Sequence, residues 1–599
     1  MRPASACKAC RERKLKCSVQ SKSQACQFCQ AQNLECSLSL RDRVLARQEH
    51  RSKRILAAQP QSPIQSPKND RHQGSNTAQL FQGAAKLNLK LPPIEVCNEI
   101  VDLYFQILHD KQHSLFHYPT FIRAQREGTV PPIIILAIIT YTARFSNHSY
   151  FKGVERRYRG QEWSRAVKTM LNIQDMEVSI TTMQACHLIG SLAISEGDSR
   201  MESMCSTIAN RTAQLLGLPH RLSSDKLERE LELRGTHYTI LPCLRLCDSD
   251  WLFVVWWSIY MFDVWSASSR GLPRTFTLDP TWEWPMDEVA FNQLTYGTAA
   301  HSHEDFDEDL GLRGIHPRRL SMWGQMIPLT DIKSDVFTLN EWTASQNHLT
   351  IDENRLLRSV AEISSKLVVW LHDLPPRLHN TPENLAYFVD LGFGTTFLAL
   401  HVGYHYHSML LYYQFLHEAE SSGPSECLLS SSPYARDYAE RCKFHATSIS
   451  DILWTGSQTP RCECLWMLCG HMLVISSSVH LHTLLLGDDE ELINQARNYL
   501  ERNFELLLRL QSYWPGIFLS TTRLRVFQKA CLRAARLNDT FRMDRWLLNM
   551  LQEHHEAIVN ESTNDDQVNV TGDSLSAANM SAHSPSSTEF QSEMYSWIR

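Results

Sequence analysis

Residues 7–36 read CKACRERKLKCSVQSKSQACQFCQAQNLEC. Six cysteines, Cys7, Cys10, Cys17, Cys26, Cys29 and Cys36, fall in them as C-x2-C-x6-C-x8-C-x2-C-x6-C. Two halves of equal spacing are joined by a short loop. A Cys-x-x-Cys pair brings two thiolates within reach of one metal ion, and a structural zinc takes four ligands in a tetrahedron. Six thiolates satisfy one zinc with two sulfurs left over, or two zincs when two sulfurs bridge. The repeat in the spacing favours the second arrangement, with each half contributing equally.

Two other uses of six cysteines compete with zinc. A disulfide framework needs an oxidising compartment, and the opening MRPASACKAC has no apolar signal core. An iron–sulfur site leaves the basic residues between the cysteines unexplained. Arg11, Arg13, Lys14 and Lys16 lie on a segment held at both ends by cysteines. Six thiolates outweigh the charge of two zinc ions, so charge compensation is one role for these cations. Display toward a partner from a rigid cluster is the other.

With ACKACRERKLKC at its start, the array resembles the Zn2Cys6 binuclear-cluster domain of fungal transcription factors. The resemblance implies two zinc ions per chain, with Cys7 and Cys26 as the bridging sulfurs. It also implies that the basic segment enters the DNA major groove over a CGG triplet. By position, Arg13 and Lys14 would read the guanine edges, whose O6 and N7 are acceptors. Arg11 and Lys16 would grip phosphates, which sets register without reading sequence. Two positions depart from the family pattern. Gln24 stands where a proline is usual, and Ser18-Val19 replaces the usual Asp-Gly. Both lie in the loop between the halves, so the ligands are kept while the loop loses rigidity.

Charge follows the same division. Residues 1–60 carry 13 Lys/Arg against 4 Asp/Glu, a net of +9, in a chain of net charge −6, which leaves −15 on the remainder. A basic module on an acidic body points to nucleic-acid binding confined to one end. The other eleven cysteines are scattered from Cys97 to Cys531, mostly in apolar helical context, which suits a reducing interior. The most apolar runs, Ile133–Ile139 and Trp251–Phe262, fall short of the roughly 20 residues a spanning helix needs. A nuclear protein without a membrane segment is expected.

Beyond the cluster domain (1–40), residues 41–90 read as a basic segment and a disordered linker. Leu38 and Leu45 are seven apart but Ser52 follows, so the case for a dimerising coiled coil, and hence a homodimer, is weak. Residues 58–90 are too poor in bulky apolar groups to order themselves. At Leu91-Pro92-Pro93 the pattern turns helical, with Val96, Ile100, Leu103, Tyr104 and Ile107 recurring at helical spacing. The stretches LPPIEVCNEIVDLYFQILHDKQHSLFHYPTF, PPIIILAIITYTARFS, a helix pair turning at Gly197-Asp198, and WWSIYMFDVWSASSRGLPRTF resemble, in order, the fungal-specific regulatory domain. That likeness is good over 91–290 and looser over 350–418. Residues 235–254, GTHYTILPCLRLCDSDWLFV, interrupt it. Their twenty codons match the size of a short intron, so a retained intron is one reading and a genuine loop the other; sequencing the transcript decides. Helical pattern runs on to 556. Residues 557–599 read as a disordered acidic tail, with six Asp/Glu against one Arg beyond Ile558 and the aromatics Phe590, Tyr595 and Trp597 among them. Such a tail is either an activation segment or featureless.

Three other clusters look like ligands. Residues 301–309, HSHEDFDED, read as a solvated loop. Cys462, Cys464, Cys469 and His471, and likewise His401, His405 and His407, read first as helix-packing residues. No nucleophile elbow, phosphate loop, dinucleotide fingerprint or H-E-x-x-H is present, so no enzyme is expected.

The fold class is therefore mainly α: a small two-zinc cluster domain built on six cysteines, a disordered linker, a large all-α regulatory domain (91–556) and a disordered C-terminal tail. The function implied is a sequence-specific DNA-binding transcription factor acting at RNA polymerase II promoters through CGG-type sites, and a pathway-specific regulator of a metabolic or secondary-metabolite gene cluster. Its partners would be double-stranded DNA with CGG triplets, the transcription machinery, a second copy of the chain and a small-molecule effector. A second reading is a zinc-stabilised protein- or RNA-binding module on a helical scaffold.

Overall fold

Several stretches of this chain are apolar on every side, and a helix of that kind is stable only with other helices around it. The computed structural model describes residues 91–171, 177–218, 248–293, 320–346, 351–416, 433–537 and 543–552, apart from 112, 280, 281 and 283, together with Cys26, Ala31, Gln32, Ser592 and 594–597. The chain divides into two units, Met1–His72 and Gln73–Arg599. In the second unit the described residues are helical, with an isolated bridge between His109 and His113 and no strand.

Helix α1 (Ile94–Ile107) opens behind Pro92-Pro93, where a missing N–H costs nothing, and buries Val96, Ile100 and Tyr104. Then come α2 (Tyr118–Glu127), α3 (Pro132–Thr142) and α4 (Gln161–Met170). The expected antiparallel pair is α5 (Ile180–Glu196) and α6 (Ser199–Leu216). Gly197, left-handed at φ 72°, ends α5, and the Asp198 carboxylate accepts the Met201 N–H to begin α6. The chain continues through α7 (Asp248–Ser268), α8 (Glu288–Gln293), α9 (Met322–Ser345), α10 (Glu353–Asp373), α11 (Pro382–Asp390) and α12 (Gly394–Tyr412). It closes with α13 (Pro433–Gln458), α14 (Leu468–Leu486), α15 (Glu490–Gln511), α16 (Ile517–Leu537) and α17 (Arg545–Gln552).

Position in the body follows pattern. Helices α5, α12 and α14 bury nearly every side chain. Helix α10 buries only the stripe Leu356, Val360, Ile363, Ser364, Leu367 and Trp370, and α15 only Ala496, Leu500, Phe504, Leu507 and their neighbours. These two are outer helices with a polar side. One continuous apolar cluster runs from Leu91 to Met594.

Buried polar groups fix the angles between helices. The Asp263 carboxylate of α7 accepts from Asn210 Nδ2 of α6 at 2.6 Å and from the backbone N–H of Thr275 and Phe276 at 2.8 and 3.1 Å. It thereby ties two helices to the Arg270-Gly271-Leu272-Pro273 turn. Beside it Trp256 meets Phe276 and Trp282 edge-on at 4.8 and 5.3 Å, pairs worth about 0.5–1.5 kcal/mol each beyond area burial. At the N-terminus of α9, where backbone N–H groups lack helical partners, the Glu288 carboxylate accepts from Ser321 Oγ, Met322 N and Trp323 N at 2.9, 3.1 and 2.8 Å.

Three findings differ in detail from the sequence reading. First, α7 begins inside the stretch 235–254: Asp248–Val254 are helical and Val254 is buried, while 235–247 lie outside the described residues. Second, α14 is long and apolar enough to cross a membrane, and 83% of its apolar window is buried inside the protein. Counting apolar runs missed it because Ser476, Ser477, Ser478, His480 and His482 interrupt the run. Several of these point inward to partners: Ser478 Oγ to Tyr413 Oη at 2.7 Å, Ser476 Oγ to Ser450 Oγ at 2.8 Å, and Ser477 Oγ to Asn503 Nδ2 at 3.1 Å. Third, the last residues of the expected tail are packed. Met594 is fully buried, and the Tyr595 and Trp597 rings lie 6.3 and 6.0 Å from Phe504 of α15. Acidity elsewhere in the tail hides the fact that its end has an apolar face to bury. Residues 41–90 and most of 557–599 lie outside the described residues.

Gly160, before α4, has φ 90°, and a side-chain carbon there would overlap the Thr140 carbonyl of α3. Gly153 has φ 86° but open space around it. Gly153→Ala is expected to cost the backbone strain alone, about 1–2 kcal/mol. Gly160→Ala adds the clash, so its thermal unfolding midpoint should fall clearly further; equal midpoints would contradict the packing of α3 against this turn.

Candidate zinc centre and the cavity of the helical body

Of the six cysteines expected to bind zinc, Cys26 is among the described residues and its exposure is 0%. Cys7, Cys10, Cys17, Cys29 and Cys36, with Arg11, Arg13, Lys14 and Lys16, lie outside them. Full burial of Cys26 belongs to a unit whose sequence offers few bulky apolar residues to form a core. A metal fills that need, and an all-thiolate donor set suits zinc.

The other thiol and imidazole groups are placed differently. Cys462, Cys464 and Cys469 are buried in the apolar cluster. Burial pushes the Cys462 thiol up to about 11 and raises that of Cys469 as well, away from the thiolate a metal binds. His471 pairs through Nε2 with the Leu551 carbonyl at 3.1 Å. His401 packs edge-on against Phe397, and His405 and His445 share a 2.9 Å contact between Nδ1 atoms. Among the described residues no group of three or more His, Cys, Asp or Glu is placed to hold a metal ion. Residues 301–309 lie outside them.

One feature of the body was not legible in the sequence. A cavity of about 120 Å³ lies where α5, α6, α7, α9, α12 and the start of α14 converge. Its wall is largely apolar, with Phe262, Trp265, Leu329 and Val402 among its residues. Two polar atoms without hydrogen-bond partners, His187 Nδ1 and Trp323 Nε1, stand in the same wall, beside the Glu202 carboxylate and the His407 ring. Burial lowers His187 and His407 to about 3 each, so both imidazoles are neutral. These residues come from five helices and share no local motif, so only the packed body brings them together.

Comparison with known proteins settles the class. Residues 5–44 match the fungal Zn(2)-Cys(6) binuclear cluster domain and residues 101–372 the fungal specific transcription factor domain. The chain belongs to the Zn2Cys6 fungal transcription factors. It is similar to an uncharacterised transcriptional regulatory protein of Schizosaccharomyces pombe, 22% identical over 56% of this chain and 34% of the relative. It is also similar to two Zn(2)-C6 fungal-type transcription factors of Fusarium oxysporum. FTF1a is 20% identical over 76% of this chain and 41% of the relative, and FTF2 is 19% identical over 72% and 39%. The chain thus spans well under half the length of these curated relatives. No solved structure matches it. The Zn2Cys6 family is one of transcription factors and not of enzymes, and its binuclear cluster domain binds two zinc ions.

Because ligation energy is folding energy in so small a unit, elemental analysis should find two zinc ions per chain. Chelation should release both and unfold residues 7–36, and Cys26→Ala should reproduce that loss without unfolding the helical body. One zinc per chain, or a Cys26→Ala protein that keeps both, would contradict the binuclear site.

Proposed function

We propose that the chain is a nuclear, sequence-specific DNA-binding regulator of RNA polymerase II promoters that reads CGG triplets. The observation that carries this reading is the confinement of Arg11, Arg13, Lys14 and Lys16 between two zinc ligands, Cys10 and Cys17, inside the matched cluster domain. Zinc supplies the rigidity of a segment that has no core of its own. In this reading Cys7 and Cys26 are the bridging thiolates, and the complete burial of Cys26 agrees with a ligand at the centre of the cluster. Arg13 and Lys14 donate to guanine O6 and N7, and Arg11 and Lys16 to flanking phosphates. The +9 charge of residues 1–60 adds attraction at long range.

The domain scheme follows: cluster domain 1–40, basic segment and linker 41–90, regulatory body 91–556, tail 557–599. A body of net acidic charge repels DNA phosphates, so a linker that separates it from the head favours binding. We assign the body a restraining role, answering to a small-molecule effector, and the tail the recruitment of the transcription machinery. Metabolic or secondary-metabolite genes as targets, and a homodimer on paired CGG sites, rest on the family resemblance alone.

Gel-shift competition tests the division of labour. Lys14→Ala should lose about 1–3 kcal/mol on CGG sites and little on unrelated duplex, whereas Lys16→Ala should weaken both and flatten the salt dependence. Equal losses by both variants on all DNA would sink the assignment. Retention of the wild-type chain by any nucleic acid regardless of CGG content would favour the general binding module instead.

A further inference from the structure

The last described residues of the chain carry the apolar side of the acidic tail. Phe590, Met594, Trp597 and Ile598 recur at the i, i+4, i+7, i+8 spacing of one helix face, with Glu589 and Glu593 beside them. Ser592 and residues 594–597 are helical, and a helix this short does not hold in water by itself. Its order comes from a seat on the body. Met594 is fully buried, and the Tyr595 and Trp597 rings meet Phe504 of α15 edge-on, at interplanar angles of 89° and 82°. Phe504 is itself fully buried.

Charge opposes this seat. Burial raises the Tyr595 hydroxyl, and the nearby carboxylates of Glu505 and Glu501 raise it further. Both carboxylates are exposed on α15. Arginines on the same helix are already engaged, Arg509 with Glu463 at 2.8 Å and Arg502 with Asp451 at 3.5 Å. A tail segment that carries Glu593 beside Met594 therefore meets like charge on the helix that holds it. Because segment and seat belong to one chain, a contact too weak for two separate molecules still keeps them together. The same face suits another mode of binding, in which an amphipathic helix lays its i, i+3, i+4, i+7 side chains into an apolar groove. A groove with a basic rim supplies the attraction that α15 withholds. Met594 cannot fill that groove and lie buried on the body at once.

We propose that residues 590–598 are a helical recruitment motif for an apolar, basic-rimmed groove on a protein of the transcription machinery, and that α15 masks the motif by seating the same face on Phe504. This proposal rests on the reading of the tail as the recruiting segment. It names the chemistry of the partner surface and the contact that restrains the tail.

The test uses the zinc-loaded full chain and two readouts: hydrogen exchange of the amides of residues 592–597, and a reporter gene at equal expression and measured promoter occupancy. Phe504→Leu keeps an apolar side chain in the core and removes two aromatic pairs. It should speed exchange on the order of tenfold and raise the reporter. Glu501→Lys, at an exposed position, should slow exchange roughly twofold or more and lower the reporter. Met594→Ser with Trp597→Ser should leave exchange fast and the reporter silent. In the Phe504→Leu chain, Glu589→Lys with Glu593→Lys should lower the reporter, as a basic rim requires. Exchange without protection in the wild-type chain, or a rate that neither α15 substitution moves, overturns the seat. A reporter unmoved while Phe504→Leu quickens exchange overturns the masking, and one unmoved by the two Glu→Lys changes overturns the basic rim. A reporter still active in the Met594→Ser, Trp597→Ser chain at unchanged occupancy refutes the tail as recruiter, and with it the motif, while exchange still reads the seat.

Discussion

The constraint on which the helical body depends is that its central helices have no side to give to water. Helices α5, α12 and α14 bury almost all of their residues, and each must be enclosed by neighbours. Enclosure makes the body indivisible: α10 and α15, which have polar sides, serve as its outer wall, and the apolar cluster passes through the body without a break. An indivisible core also explains why buried polar pins such as Asp263 and Glu288 are needed. Apolar packing is non-directional, whereas a carboxylate accepting from two or three fixed donors sets one angle between helices and penalises others.

The same enclosure gives the cavity its meaning. A gap at the junction of six helices is bounded by side chains from each of them, so its packing is shared among α5, α6, α7, α9, α12 and the start of α14. Glu202, His187 and His407 place polarity in a wall that is otherwise largely apolar.

What could be read in the sequence was what is local. The expected zinc ligands rest on spacing within 30 residues, and the α5–α6 hairpin was legible in Gly197-Asp198, because a left-handed glycine followed by an N-cap aspartate has few alternatives. The start of α1 was equally plain in Pro92-Pro93. Long-range packing was not legible. Lys333, in TDIKSDVF, looks like an ordinary solvated helix position, and only the folded body shows it buried on Trp265. The length of α14 was masked by serines and histidines that turn inward to partners on other helices. The docking of Met594, Tyr595 and Trp597 was masked by the acids that precede them, and Phe504, against which the two aromatic rings pack, lies roughly ninety residues away. Cys462, Cys464, Cys469 and His471 resemble a ligand set in sequence; in space they are core, with the Cys462 and Cys469 thiols pushed away from thiolate by burial.

The central claim is the proposal that the helical body restrains a DNA-reading head and an activating tail whose last residues pack on it. The most direct measurement is a promoter–reporter assay on a fusion of residues 1–90 to 557–599, compared with the full chain at equal expression. The account predicts that the fusion binds CGG sites and activates constitutively, above the full chain, because the tail's Tyr595 and Trp597 no longer have Phe504 to pack against. A fusion that binds CGG sites but leaves the reporter silent would contradict it, and would place activation in the helical body instead.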